Sequence, residues 1–441
     1  MLDVAGERAG QAVLWIRGRD RAHAVRAPFS PTFYVRGAGL PRLAQGALDL
    51  GAVSADVVEA VPGLEDAAAK VLRVAVRGFE DVHRFASAID AWGRYKDLDL
   101  YNVDLRPSQR ILLARRLFPF AHVRAWGPER VSLLDDEQWI VDYPMPAMRT
   151  IFLDAGPDLP RGTLPTHEHP VAWATLQDVP GRFSPMEAQH QEHQGTRKDA
   201  DAWCPGVPGV DPPSSQRIEA REEDVLRALA DEVARRDPDV VLTRGGDRFL
   251  LPYLRHRADA LGLTGWRLGR DDDPVRPARR EKSYFTYGKI KYQPPAIRLA
   301  GRLHVDMASS FFYTEAGLHG LVDLSRIANI PLAEMARLGA GTAITAIQVD
   351  VAAREGRLIP WKKNQAEAFK TARTLLDADR GGYVFEPKVG LHEDVVELDF
   401  ASLYPNLMVT RNLSPETVLC ACCGGTQQGQ QKQGRQQREK T

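Results

Sequence analysis

Between Arg149 and Leu261 the chain alternates strand-like and helix-like patterns in a set order, and that order restricts the fold more than any other feature. Arg149-Thr-Ile-Phe-Leu-Asp154 reads as a strand that ends in an acid. Glu222 to Arg236 places Val225, Leu226, Leu229 and Val233 on one face, the spacing of an amphipathic helix. Asp237-Pro238 stops that helix, because the residue before a proline is pushed out of helical geometry. Val240-Val-Leu-Thr243 is short and apolar, as a buried strand is, and Phe249 to Leu261 reads as a helix closed by Gly262. This succession predicts an α/β domain built on a central sheet.

The flanking segments predict further domains. Ala12–Ile16, Thr32–Val35 and Val71–Val76 read as strands, Phe79–Trp92 as a helix, and Pro107–Leu117 as a basic helix with proline in its first turn. Residues 331–378 look helical; Gly381-Gly382 breaks that pattern, and Tyr383-Val-Phe385 starts a strand. A chain of 441 residues exceeds one ordinary core, so the fold class expected is α/β within an α+β multidomain chain. The stretch 186–217, rich in Pro, Gly, Gln and His, reads as a long exposed loop, and the Gln- and Gly-rich end from Gly424 as a disordered tail.

Lys+Arg and Asp+Glu are both 58, so net charge gives no signal for a nucleic-acid partner. No apolar run reaches the length of about 18 residues that spans a membrane, and the first residues lack a secretory pattern. Cys204 stands alone, and Cys420, Cys422 and Cys423 crowd together, which is no disulfide framework and suggests a reducing, cytoplasmic setting. Those three thiols fall one short of a zinc site, so free thiols are the favoured reading. Thr166-His-Glu-His169 and His190-Gln-Glu-His193 read as surface histidines rather than ligands, and Asp271-Asp-Asp-Pro274 as a solvated loop.

Residues 276–292 interleave cations with rings, and from Tyr284 the alternation fits a hairpin with Gly288 at its turn. Bases stack on such rings while cations follow phosphates, so Arg279, Arg280, Lys289 and Lys291 are candidate DNA contacts. A half-buried hairpin with one solvated face explains the pattern equally well.

Val395-Val-Glu-Leu-Asp-Phe-Ala-Ser-Leu-Tyr-Pro-Asn-Leu-Met408 is the other stretch with chemistry. It reads as an apolar strand that delivers one acid, Asp399, to a turn, with Pro405 suited to the first turn of a helix. Strand-end carboxylates suit Mg²⁺, and two such ions can clamp the attacking and leaving oxygens of a phosphoryl transfer. A lone aspartate facing solvent at a strand–helix corner is the plain alternative.

Asp399-Phe-Ala-Ser-Leu-Tyr-Pro405 resembles the first palm motif of family B DNA polymerases, Asp-Phe-x-Ser-Leu-Tyr-Pro, and Gly381–Pro387 and Thr410–Thr417 around it are similar to that family too. The resemblance implies that Asp399 holds catalytic Mg²⁺, that backbone from Phe400, Ala401, Ser402 and Leu403 lines a deoxynucleoside triphosphate, and that Tyr404 gates against ribonucleotides. Gly381 and Gly382 would approach the template, although the family's Tyr-x-Gly-Gly reads Asp379-Arg-Gly-Gly382 here. Tyr101–Leu113 resembles the end of the family's N-terminal domain.

The implied domains are an N-terminal domain (1–145), an RNase H-like 3′–5′ exonuclease-like domain (146–330), a helical linker (331–380), the start of a palm (381–419) and a polar tail (420–441). The exonuclease motifs depart from the family. Asp-x-Glu becomes Asp154-Ala-Gly156, Asn-Gly-Asp-x-Phe-Asp becomes Gly245-Gly-Asp-Arg-Phe-Leu250, and Tyr-x-x-x-Asp matches Tyr313-Thr-Glu-Ala-Gly317. Of the four metal-binding acids the resemblance implies, at positions 154, 156, 250 and 317, only Asp154 survives, which implies a dead nuclease and a divergent prokaryotic branch. Past Asp399 the only acids are Glu416 and Glu439, so the second palm acid pair and the finger helix are missing. The expectation is the first half of a nucleoid-associated polymerase: a truncated product, or a partner of a separate C-terminal subunit. The alternative is a non-catalytic module that binds primer–template or single-stranded DNA.

Overall fold

Short runs of β-branched and aromatic residues set up the first sheets. A computed structural model describes residues 3–7, 10–63, 67–93, 97–126, 130–134, 136–140, 142–145, 147–160, 163–179, 215–271, 276–279, 282–286, 289–293, 295–361, 370–378 and 384–414. β1 (Asp3–Glu7), β2 (Gln11–Arg17) and β3 (Ala22–Pro28) form an antiparallel meander. β4 (Thr32–Gly37), α1 (Leu40–Asp49), β5 (Ser54–Pro62), β6 (Ala69–Ala75), α2 (Phe79–Asp90) and β7 (Leu98–Tyr101) follow, with sheet order β5-β6-β4-β7. Phe33, Val35, Leu72 and Val74 of that sheet pack on Phe85 and Ile89 of α2.

α3 (Pro107–Arg115) then lays Ile111 and Leu112 against Leu14 of the first sheet, and a hairpin of β8 (Val123–Trp126) and β9 (Arg130–Leu133) closes this region. Buried Arg110 in α3 donates to the carbonyls of Thr32 (2.6 Å), Val103 (2.8 Å) and Leu105 (3.1 Å), and to that of Asn102. Burial lowers its pKa to about 10, so it remains a cation at neutral pH while satisfying backbone that would otherwise be stranded.

The central sheet comes next, from β10 (Thr150–Gly156), β11 (Trp173–Val179), β12 (Ser215–Glu219), α4 (Glu222–Arg236), β13 (Val240–Thr243), a π-helical turn (Gly246–Leu250) and α5 (Leu251–Ala260). β14 (Arg276–Arg279), β15 (Lys282–Thr286), β16 (Lys289–Gln293) and β17 (Ala296–Arg298) lead into its last strand, β18 (Leu303–Asp306). The order is β12-β11-β10-β13-β18, with β10, β13 and β18 parallel. α4 and α5 bring Val225, Leu229, Leu251 and Leu254 into one core with Ile151 and Leu153 of β10. α6 (Phe311–Ala328), α7 (Leu332–Met335) and α8 (Ala340–Arg354) contribute to a second core with Val240, Leu242, Leu303 and Val305. Burial on both faces explains the apolar run Val240-Val-Leu242 of β13.

These elements form one compact unit, Met1–Gln365. Arg326 of α6, 1% exposed, lies 3.9 Å from the ring centroid of Tyr143 and 4.9 Å from that of Phe118, and pairs with Asp136 at 2.9 Å. The stretch expected to be helical throughout 331–378 is interrupted by β19 (Arg357–Leu358), which runs parallel to the end of β5. Gly356, at φ +78°, ends the helical run and permits that return.

The second unit is Ala366–Thr441, with α9 (Ala372–Ala378) and α10 (Leu403–Arg411). α10 carries Pro405 in its first turn, as expected. The expected strand into Asp399 is absent, and so is one at Val384-Phe385: 384–400 form no ladder. A strand needs a neighbour to take its N–H and C=O groups, and among the described residues of this unit none stands beside it. Tyr383, the loop 186–214, Cys204, His190, His193 and residues 415–441 lie outside the described residues.

Candidate functional site

Parallel β10, β13 and β18 end side by side, so Asp154, Arg244 and Asp306 gather at one edge of the central sheet. Such carboxyl ends are where open α/β sheets place ligands. Their chemistry here is not that of a carboxylate cluster.

Asp154 is half-buried. Desolvation holds its carboxyl above the usual range, only partly offset by the Ala155 N–H at 2.9 Å and the Arg244 charge. Gly156, two residues on, faces Trp173 across the β10–β11 ladder. A Cβ at 156 would come 3.1 Å from the Trp173 ring, whose centroid lies 4.9 Å from the Arg217 guanidinium. Trp173 thus fills the space a longer residue at 156 would enter. Gly156→Glu is expected to displace the indole, lower thermal stability and yield no nuclease activity on a labelled single strand.

Leu250 is 3% exposed and belongs to the core that contains Leu153, Leu226 and Leu254. Gly245 takes a left-handed conformation (φ +73°), and its N–H donates to Asp306 at 2.8 Å. Asp306 also accepts from the N–H groups of Asp247 (3.2 Å) and Ala308 (3.1 Å), so it fastens the turn after β13. Gly317 kinks α6 at φ +63°, ψ −165°, with open space where a Cβ would stand.

Asp247 is fully buried and accepts from Ile297 N–H at 2.7 Å and from Arg337 Nε and Nη2 at 2.6 and 2.8 Å. Desolvation pushes this carboxyl up, but hydrogen bonds and charge from Arg337 bring it below the usual range. His304 Nδ1 lies 2.8 Å from Arg337 Nη2 and 3.1 Å from the Ile297 carbonyl oxygen, and its Nε2 lies 2.8 Å from Thr243 Oγ1. Burial, then the Arg337 charge, lowers the His304 pKa to about 4. A Cβ at Gly246 would stand 2.6 Å from His304 Nε2, so this network needs glycine there. Arg337, His304, Asp306 and Trp173 had no motif to announce them; the only signal was glycine at 156 and 246.

Among the described residues no group of three or more His, Cys, Asp or Glu side chains is arranged to hold a metal ion. His169 Nδ1 takes the Thr166 N–H at 3.0 Å, while His167 lies 5.2 Å from Phe249, centroid to centroid. Asp399, Phe400, Ala401, Ser402, Leu403 and Tyr404 are exposed, with Ser402 left-handed before α10. β15 and β16 form the expected hairpin, with Lys289 and Lys291 on β16 and Arg279 on β14. Arg280, Gly288, Gly381 and Gly382 lie outside the described residues.

The fold is a mixed α/β arrangement built on the central sheet. The model of DNA polymerase family B matches residues 330–438, and that of the family's exonuclease domain matches 191–314. DNA polymerase 2 of Aeropyrum pernix is 24% identical over 492 residues, covering 95% of this chain and 56% of its own. The DNA polymerase of Pyrococcus glycovorans is 29% identical over 252 residues, 46% of this chain and 31% of its own. The structure of the family B DNA polymerase from Pyrobaculum calidifontis superposes with a TM-score of 0.62 at 21% identity, over 94% of this chain and 57% of that one. The chain is thus homologous to family B DNA polymerases over most of its length, at low identity, and it spans 31% of the DNA polymerase 1 of Pyrococcus abyssi. No helix among the described residues is long and apolar enough to cross a membrane.

Proposed function

We propose that this chain is the template-directed part of a DNA-directed DNA polymerase, with one palm carboxylate, Asp399, and a silent nuclease. The observation that carries this reading is the family polymerase match over 330–438, which contains Asp399-Phe-Ala-Ser-Leu-Tyr-Pro405. The backbone of 400–403 would receive the triphosphate, and Tyr404 would pack under its sugar. The degenerate exonuclease motifs support a divergent prokaryotic branch, and a DNA substrate would place the chain at the nucleoid.

A Mg²⁺ pair needs clustered carboxylates. The remaining palm acids would come from polypeptide beyond the residues described, whether a continuation of a longer chain or a separate C-terminal subunit. Bare apolar surface supports that assignment: Val384 (85%), Leu398 (91%) and Val409 (80%) are exposed, and Phe400 and Tyr404 nearly as much. Apolar runs this open mark sites where another surface packs, and an unpaired extended segment is a ready place for strand addition.

Primer extension with Mg²⁺, four deoxynucleotides and a polypeptide carrying a Tyr-Gly-Asp-Thr-Asp type motif tests this. Extension should appear only with both chains and be abolished by Asp399→Ala. Extension that survives Asp399→Ala removes the site assignment. The second reading, a non-catalytic DNA-binding module, is favoured by the missing carboxylate cluster. It predicts primer–template binding that weakens steeply with salt and no extension under any pairing.

A further inference from the structure

The β8–β9 hairpin presents two faces. Val123, Val131 and Leu133 pack toward the core of the first sheet. Arg124 and Trp126 alternate with them, and Trp126 stands directly opposite Arg130. Trp126 is 53% exposed, and the Arg124 guanidinium lies 5.8 Å from its ring centroid. Beside it opens a pocket of about 640 Å³ lined by Arg115, Trp126, Arg130 and Val131. Arg115 Nε is buried there without a hydrogen-bond partner among the described residues. No ion pair among the described residues involves Arg115, Arg124 or Arg130.

We propose that this face of the hairpin, with the end of α3, binds single-stranded nucleic acid: one base stacks on Trp126 while Arg115, Arg124 and Arg130 hold the flanking phosphates. A large ring held half in water, with cations on either side and an unsatisfied guanidinium N–H beneath, matches what a nucleotide offers. Base stacking on an aromatic ring tolerates any sequence, and arginine forks suit phosphate oxygens. An acidic peptide would satisfy the cations but leave the ring without a flat partner. The site lies apart in sequence from the 276–292 stretch and is independent of polymerase activity.

The test uses the full chain and a fluorescein-labelled oligothymidylate of about 16 nucleotides, with anisotropy read in EDTA at about 50 and 200 mM salt. Trp126→Leu, which keeps apolar bulk but no ring, should weaken binding about tenfold, while Trp126→Phe stays within about threefold of the parent. Arg124→Gln with Arg130→Gln should lower the magnitude of the salt slope by about 1.4, the value for two lost phosphate contacts on a single strand. Thermal unfolding of each variant checks that the fold is intact. No binding by the parent chain, parental affinity in both Trp126→Leu and the double variant, or equal competition by polyglutamate would overturn the proposal. Primer extension is not a readout here, so failure of this site and failure of the polymerase reading are distinguishable.

Discussion

Leu250→Asp places an acid where the resemblance to the family's Asn-Gly-Asp-x-Phe-Asp motif expects one, and it is expected to cost about 3–5 kcal/mol of stability while producing no nuclease. The side chain is 3% exposed inside a core of leucines and valines, so the new carboxylate has neither water nor a cation. It would take up a proton, raising its pKa above the unfolded value. Such a group binds more protons in the native state, so the loss grows as pH rises. Urea unfolding at pH 5 and pH 8 reads this directly, and Leu250→Asn, similar in size but uncharged, should lose less at pH 8. A stable Leu250→Asp chain that cleaves single strands would show that Leu250 faces a working cleft.

Arg337→Ala is the second large effect, about 3–5 kcal/mol, because it leaves Asp247 buried with its two strongest donors gone. Asp247→Asn combined with Arg337→Met removes both charges and should recover much of that loss. The same network makes the fold acid-sensitive. The folded pKa of Asp247 is depressed, so its contribution is present above the unfolded carboxylate range and is lost as pH falls through the folded value. His304, with a pKa near 4 in the fold and 6.5 outside it, stays neutral in the native state while the unfolded chain gains a proton. Stability therefore falls from about pH 6.5 toward pH 4, by about 3 kcal/mol for this group. His304→Gln, which keeps one donor and one acceptor, should flatten that slope in urea midpoints taken from pH 7 to 4.5.

Much of the fold is legible in the sequence because local pattern and burial agree. α4 runs over Glu222–Arg236 and β13 over Val240–Thr243, the bounds that their apolar periods and Asp237-Pro238 predict. The site is less legible, because its parts are joined by tertiary register. Asp247 sits inside a motif-like run, yet its partner Arg337 is 90 residues downstream. Gly156 reads as a lost acid; that Trp173 stands over it depends on how β11 pairs with β10. The Asp399 stretch has the pattern of a buried strand but no ladder, since pattern names a face and only a neighbour can cover it.

The most direct measurement is extension of an end-labelled primer on a template by the purified chain with Mg²⁺ and all four deoxynucleotides, scoring lengthening and shortening together. The proposed function predicts a primer that stays unchanged with these residues alone and lengthens, in an Asp399-dependent way, when polypeptide carrying the remaining palm acids is supplied. Shortening would contradict the silent nuclease, and lengthening by the chain alone would contradict the incomplete palm.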